Sequence, residues 1–133
     1  MTTTYSADTD IIAADPMAFA LLPASDQSLG VGLRFDRLRI LAMAEIDRRL
    51  WRRDPPVDPD DLGDTTELTE AEVRFVLHYL YRDASSRAGD DLLWVKAEHW
   101  KREAESEIQG VQLTIADEFV RSTQGFTAPI WRS

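Results

Sequence analysis

Apolar residues recur at helical spacing in three stretches of the chain, at about residues 33–53, 69–85 and 90–110. Within each stretch the apolar positions return every three or four residues, which is the period of a helix with one buried face. Segments that contain proline or glycine separate the stretches, and these residues interrupt helices. The pattern therefore predicts a mainly α fold, a small bundle of three long helices.

The same spacing identifies the side of each predicted helix that should face the core. Leu41 and Met43 are expected to widen the core face of the first helix. A second side of that helix also carries apolar residues, namely Ile40, Ala44 and Trp51. We therefore expect this helix to contact neighbours on two sides. The expected core residues are Phe35, Leu38, Ala42, Ile46 and Leu50 in the first helix, Val73, Val76, Leu77, Leu80 and Ala84 in the second, and Leu93, Ala97, Trp100, Ala104, Ile108 and Val111 in the third.

Local signals predict where two of the helices begin. Thr69 and Glu72 have the spacing of a capping box, in which each side chain bonds the backbone of the other residue at a helix start. Asp15 and Pro16 predict the start of a short helix nearer the N-terminus, with Asp15 as its cap, and Pro23 is expected to end it.

The segments around the predicted bundle are less regular. Residues 54–66 form an acidic, proline-containing stretch without periodicity, and we expect an exposed, mobile loop there. Residues 111–115 alternate apolar and polar side chains, which predicts a short C-terminal strand. The chain is thus expected to form a single domain, residues 1–133, made of an extended N-terminal arm with a short helix (1–32), a helical core (33–115) and an extended C-terminal arm (116–133).

Composition limits the classes of function. The 133 residues include no cysteine, which excludes disulfides, thiolate metal sites and a cysteine nucleophile. The net charge of −9 argues against tight binding of DNA or RNA as the main task, because such domains are usually basic. The chain lacks an apolar run long enough for a transmembrane helix and a secretory signal at its start, so we expect no membrane association and synthesis inside the cell.

Motifs for catalysis or cofactor binding are missing from the sequence. It contains neither a phosphate-binding loop nor a nucleophile elbow nor a dinucleotide fingerprint. His78 and His99 fall on different predicted helices, so no zinc-binding pair is expected. A calcium loop starting at Asp58 would place Leu62 and Thr69 at two liganding positions, which excludes it. We therefore expect no enzyme activity, no cofactor and no metal.

A carboxylate site built from Glu45, Asp47 and Glu72 remains the only enzymatic alternative, and no spacing supports it.

A basic cluster with one aromatic residue occupies the end of the first predicted helix. It could contact nucleic acid through phosphates and base stacking. It also suits the negative end of the helix dipole and ion pairs within or between subunits. We favour ion pairing and keep nucleic-acid contact as the alternative. The cluster consists of Arg48, Arg49, Trp51, Arg52 and Arg53.

Aromatic and apolar residues exceed what a three-helix core needs. Trp94 and Trp100 are six residues apart and cannot share one face of a helix. Interfaces are enriched in such side chains, so we expect some of them to contact other proteins. Beside the basic cluster, the candidate interface residues are Trp94 and, in the C-terminal arm, Phe119, Phe126, Ile130 and Trp131.

The order of these segments resembles the small head–tail connector proteins of tailed phages and the adaptors of gene transfer agents. The resemblance covers most of the chain up to Ile115, and each motif is weak alone but moderately specific in this order. The motifs that carry it are Tyr5–Asp10, Ala42–Leu50, Val76–Tyr81, Ala97–Ala104 and Val111–Leu113.

The resemblance implies a structural protein of the virion neck or of a phage-like particle, made in the bacterial cytoplasm. Copies would form a closed homo-oligomeric ring, usually of about twelve, between the portal protein and a tail, stopper or terminator protein. DNA would pass through the ring without tight binding. The alternative is a small helical nucleic-acid-associated regulator that uses Arg48–Arg53.

Overall fold

Three long helices and three short ones make up most of the computed structural model, which describes residues 4–53, 55–64, 66–110 and 114–115. The predicted mainly α bundle is thereby confirmed. The helices are α1 (Asp8–Ala14), α2 (Ala18–Leu21), α3 (Ala24–Gln27), α4 (Asp36–Trp51), α5 (Thr69–Ala88) and α6 (Asp91–Gly110).

Helix α5 lies between α4 and α6 and runs antiparallel to both. Arg37, near the start of α4, pairs with Asp83, near the end of α5, at 3.7 Å. Arg74, near the start of α5, pairs with Glu107, near the end of α6, at 3.6 Å. Half of the twenty residues of α5 are buried, which fits its central position. Consequently α4 and α6 run parallel to each other on the flanks of α5.

Most of the predicted core residues are buried. They are Phe35, just before α4, Leu38, Ala42, Ile46 and Leu50 of α4, all five expected residues of α5, and Ala97, Ala104 and Ile108 of α6. Leu93 and Trp100 are partly buried against the core, and Val111 lies outside the described residues. The prediction for Leu41 was wrong, since its side chain is 43% exposed. It points about a quarter turn away from the line of Ala42 and Ile46, beyond the reach of α5.

The N-terminal segment differs from the expected extended arm. It folds into α1, α2 and α3, and Ile11, Ala18 and Leu22 are buried in the same core as the long helices. Helices α1 and α2 pack against α5, so these apolar residues extend the core of the bundle. Asp15 does not cap α2 as predicted: its carboxylate accepts the N–H of Met17 at 3.0 Å and so stabilises the turn before the helix.

The predicted capping box of α5 does not form. The helix begins at Thr69, yet the Thr69 hydroxyl donates to the carbonyl oxygen of Tyr5 at 2.7 Å. Glu72 accepts the N–H of Tyr5 at 3.1 Å. The two side chains therefore bind the N-terminal segment rather than the start of their own helix.

The acidic loop has more structure than expected. Its backbone makes short 3-10 turns at Pro59–Asp61 and Thr66–Leu68, and Leu62–Asp64 pairs with Thr114–Ile115 as an antiparallel two-stranded ladder. Val57 and Leu62 pack against the core and hold the loop close to the bundle. The predicted strand is confirmed for its last two residues, whereas residues 111–113 lie outside the described part.

In the described part of the chain, every helix is too short or too polar to cross a membrane.

Gly89 sets the sharp turn between α5 and α6. Its φ is +65°, and its N–H donates to the carbonyl oxygen of Ser85 at 2.8 Å, which ends α5 in a left-handed cap. Gly89→Ala should lower the free energy of unfolding by about 1–2 kcal/mol, because a Cβ disfavours this conformation. Urea unfolding measures the loss.

Gly110→Ala is the matched control for this substitution. Gly110 is helical, and a Cβ added there meets no atom within 4 Å in the described residues. The same methyl group should leave stability unchanged or raise it by up to about 1 kcal/mol. Equal losses at both glycines would contradict the assigned cap.

Candidate functional site

Glu72 is the centre of a buried polar cluster at the start of α5. Its side chain is fully buried, and besides the Tyr5 N–H it accepts the hydroxyl of Ser6 at 2.5 Å. Burial raises the pKa of Glu72, while the hydrogen bonds from Ser6 and Tyr5 and the charge of Arg39 lower it in part. The carboxylate is thus committed to holding residues 5 and 6 against the bundle.

Arg39 completes this cluster from α4. Its guanidinium donates to the carbonyl oxygens of Ser6 at 2.8 Å and Gly32 at 2.9 Å. It also pairs with Asp36 at 2.8 Å and with Asp8 at 3.4 Å. One buried cation therefore joins the N-terminal segment, α1, the loop before α4 and α4 itself.

Two tyrosines fasten the same N-terminal region to the long helices. The Tyr5 hydroxyl donates to Asp47 of α4 at 2.6 Å, and the Tyr81 hydroxyl of α5 donates to Asp15 at 2.5 Å. Burial, followed by the hydrogen bond to the carboxylate, raises the pKa of both phenols. Both tyrosines therefore remain protonated donors at neutral pH.

The three acids of the enzymatic alternative are all engaged in the structure. Burial raises the pKa of Asp47 as well as that of Glu72, a pattern also found in acid–base sites. Here, however, both acids bind the N-terminal segment, and Glu45 pairs with Arg48 and Arg49. Within the described residues, no group of three or more His, Asp or Glu is placed to hold a metal ion.

The two histidines lie apart, and only His78 is buried. Its Nδ1 donates to the carbonyl oxygen of Ala97 at 2.8 Å, which joins α5 to α6. Burial lowers the pKa of His78, so the neutral ring makes this bond. His99 is exposed on α6, with its ring 5.3 Å from that of Trp100. We assign His78 to helix packing.

Part of the basic cluster is occupied by contacts within the chain. Arg48 pairs with Glu45. Arg49 pairs with Glu45 at 2.6 Å and with Glu105 of α6 at 3.1 Å, and its guanidinium lies over the ring of Phe75 at 5.2 Å. The favoured ion pairing thus occurs at these two arginines. A nucleic-acid site could not use Arg49 without breaking the contact between α4 and α6.

The outward side of α4 carries only apolar and cationic side chains. Trp51, at its end, is 54% exposed. Arg52, which follows Trp51, is also exposed. We call Arg48, Trp51 and Arg52 the Trp51 patch. The exposed residues of α4 are Arg37, Ile40, Leu41, Ala44, Arg48 and Trp51.

The start of α6 exposes a second apolar surface. Leu92 is 75% exposed and Val95 60%, and Met17, next to α2, is 64% exposed beside them. Met17 and Leu92, together with neighbouring side chains, border a groove of about 310 Å³ between α2 and α6, which we call the α6 groove. Its walls are Met17, Leu21, Tyr81, Leu92 and Leu93, together with Asp90 and Lys96.

A larger cleft lies on the N-terminal helices. It has a volume of about 450 Å³ and is bordered by α1, by Phe19 and by Val31, Gly32, Arg34 and Phe35. The guanidinium of Arg34 lies over the ring of Phe19 at 5.0 Å at this cleft. Asp8 is also in its wall, but its carboxylate already accepts the N–H of Arg34 at 3.2 Å and pairs with Arg39.

The interface candidates from the sequence divide into three groups. Four are exposed, as an interface requires: Arg48, Trp51, Arg52 and Trp94. Arg49 and Arg53 are partly buried, and Arg49 is packed between helices. The four candidates of the C-terminal arm, Phe119, Phe126, Ile130 and Trp131, lie outside the described residues.

Sequence reasoning missed Met17, Leu92 and Val95. A usable signal was present at the start of α6, where four consecutive apolar residues, Leu92 to Val95, cannot all point inward on one helix.

No protein family, curated protein or solved structure matches this chain.

Substitution of Glu72 tests the buried cluster. Glu72→Ala should lower the free energy of unfolding by about 3 kcal/mol, because Ser6, the Tyr5 N–H and buried Arg39 lose their acceptor or counter-charge. Glu70→Ala, at an exposed position of the same helix, should cost less than about 1 kcal/mol. Equal losses would contradict the central role of Glu72.

The pKa of Glu72 also predicts a pH dependence. The folded-state pKa is raised above the ordinary value of 4.5, so the folded chain binds the proton more tightly than the unfolded chain. This contribution to stability is complete below pH 4.5 and is lost as the pH rises through the folded-state pKa. The stability of the wild type relative to Glu72→Gln should therefore increase on acidification from neutral pH, which urea titrations at several pH values would measure. A constant difference would contradict the assignment.

Arg49 and Arg52 provide a matched pair for the basic cluster. Arg49→Ala should lower stability by about 1 kcal/mol, since it removes two ion pairs and the packing on Phe75. Arg52→Ala should change stability by less than about 0.5 kcal/mol, because Arg52 is exposed. Thermal unfolding of the two variants distinguishes them, and the reverse order of losses would contradict the geometry.

Proposed function

We propose that this chain is a structural assembly protein, a head-to-tail adaptor whose copies form a ring between the portal and the tail of a phage or a phage-like particle. The observation that carries the proposal is the apolar surface at the start of α6. Leu92, Val95 and Met17 form a contiguous exposed patch, and such patches mark protein–protein contacts. An isolated bundle would gain solubility from polar residues at these positions.

Two further features support the adaptor among the possible assembly proteins. The order of motifs resembles the phage connectors and gene-transfer-agent adaptors. In addition, the net charge of −9 suits a ring through which DNA passes, because an acidic wall does not retain phosphates. The partners in this proposal are further copies of the chain, the portal protein and a tail, stopper or terminator protein.

Co-expression with the portal and tail proteins encoded in the same genome tests the proposal. A tag on the portal should co-purify this chain, and electron microscopy should reveal it as a closed ring on the tail side of the portal. A portal that purifies without the chain, or that carries single scattered copies, would contradict the adaptor.

Leu92→Glu and Ser106→Glu form a matched pair for the same experiment. Both residues are exposed on α6, and both variants gain one negative charge. Leu92→Glu should reduce the amount of chain on the portal at least about tenfold, as for a central apolar contact, whereas Ser106→Glu should bind as the wild type does. Equal binding of both variants to the portal would contradict a role of the apolar surface in assembly. Circular dichroism of each variant checks the fold.

A further inference from the structure

The Trp51 patch and the α6 groove lie at opposite ends of the bundle. Arg49 contacts Glu105, so the end of α4 lies beside the last third of α6. Leu92, which borders the groove, is thirteen residues earlier on α6 than Glu105. At the rise of an α-helix this separates the two surfaces by about 20 Å along the bundle. At this distance they cannot meet within one copy.

The two surfaces carry opposite charge, and the groove is large enough for an indole. The Trp51 patch presents the half-exposed indole of Trp51 and the exposed Arg52, while Arg48 is paired with Glu45. The groove has apolar walls and a volume of about 310 Å³, more than an indole occupies. Asp90 is in its wall and Asp91 follows, both exposed.

One cation at the groove offsets part of this negative charge. The Lys96 ammonium lies over the ring of Tyr81 at 5.4 Å and keeps its charge, so two aspartates against one lysine leave this end of the groove with a net charge of −1.

Other pairings of the same surfaces are less favourable. Two Trp51 patches facing each other would bring arginines against arginines, and like charges across an interface repel. The larger cleft on the N-terminal helices presents Arg34 at its surface, while its Asp8 is already paired with Arg39. The Trp51 patch, in which Arg48 is paired with Glu45 and Arg52 is exposed, is therefore better matched by the α6 groove.

We propose that Trp51 of one copy inserts into the α6 groove of the next copy, with Arg52 facing Asp90 and Asp91. The inference rests on the proposed function for its biological setting and names the contact between neighbouring copies. Because each copy uses two different surfaces, the contact is heterologous, and repeating it produces a ring or a filament rather than a two-fold dimer.

Cross-linking between two single-cysteine variants tests the contact, and the natural chain has no cysteine to interfere. Arg48→Cys lies beside Trp51, and Lys96→Cys lies in the wall of the groove. A short bismaleimide should join the two variants when they are mixed, both in the concentrated chain alone and in the portal complex. Arg48→Cys mixed with Ser106→Cys is the control and should give at least about tenfold less product.

Two tryptophan variants distinguish a specific contact from nonspecific hydrophobic association. Trp51→Ala should weaken association of the copies at least about tenfold, as measured by sedimentation, because a buried interface tryptophan dominates its contact. Trp94 is exposed to a similar degree but does not border the groove, so Trp94→Ala should associate as the wild type does.

The outcomes distinguish this contact from the adaptor function. A ring on the portal without the mixed cross-link, or with a cross-link only between two Arg48→Cys chains, overturns the contact and leaves the adaptor standing. The mixed cross-link without portal binding supports the contact and contradicts the adaptor. Equal weakening by Trp51→Ala and Trp94→Ala also overturns the contact.

Discussion

The fold depends on one buried interaction, the hydrogen bonds that Glu72 and Arg39 form with the N-terminal segment. Glu72, on α5, accepts hydrogen bonds from Tyr5 and Ser6. Arg39, on α4, donates one to Ser6. Burying a carboxylate or a guanidinium costs free energy because the charged group loses its water. Here each group forms hydrogen bonds with polar groups of the same N-terminal segment, which offset part of that cost. This contact fixes the position of the N-terminal segment, and α1 and α2, which follow it, pack against α5.

This arrangement explains why the long helices were predictable and the N-terminal segment was not. The core faces of α4 and α5 follow from apolar spacing, because period and burial are properties of each helix by itself. The role of Glu72 depends on a residue 67 positions away in the sequence, Tyr5. A Thr-x-x-Glu pattern is compatible both with a capping box and with side chains that bind a distant segment. Only the tertiary fold decides between these two arrangements.

The candidate surfaces were predictable to a similar, partial degree. An arginine-rich helix end with Trp51 is visible in the sequence, and so is the surplus of aromatic residues. Arg49 contacts Glu105 and Phe75, while Trp51 stays exposed. This difference depends on how α4 packs across α5, which the sequence pattern does not show. The α6 groove depends on the position of Met17, which comes from the segment that the buried cluster holds in place.

The proposed assembly of copies depends on two unlike surfaces, so complementation between defective chains is its most direct measurement. Trp51→Ala keeps the groove, and Leu92→Glu keeps the Trp51 patch. Sedimentation should show that each variant alone associates at least about tenfold more weakly than the wild type, whereas an equimolar mixture should form a one-to-one dimer. A mixture in which both variants remain monomeric, or a variant that assembles alone as the wild type does, would contradict the proposed contact.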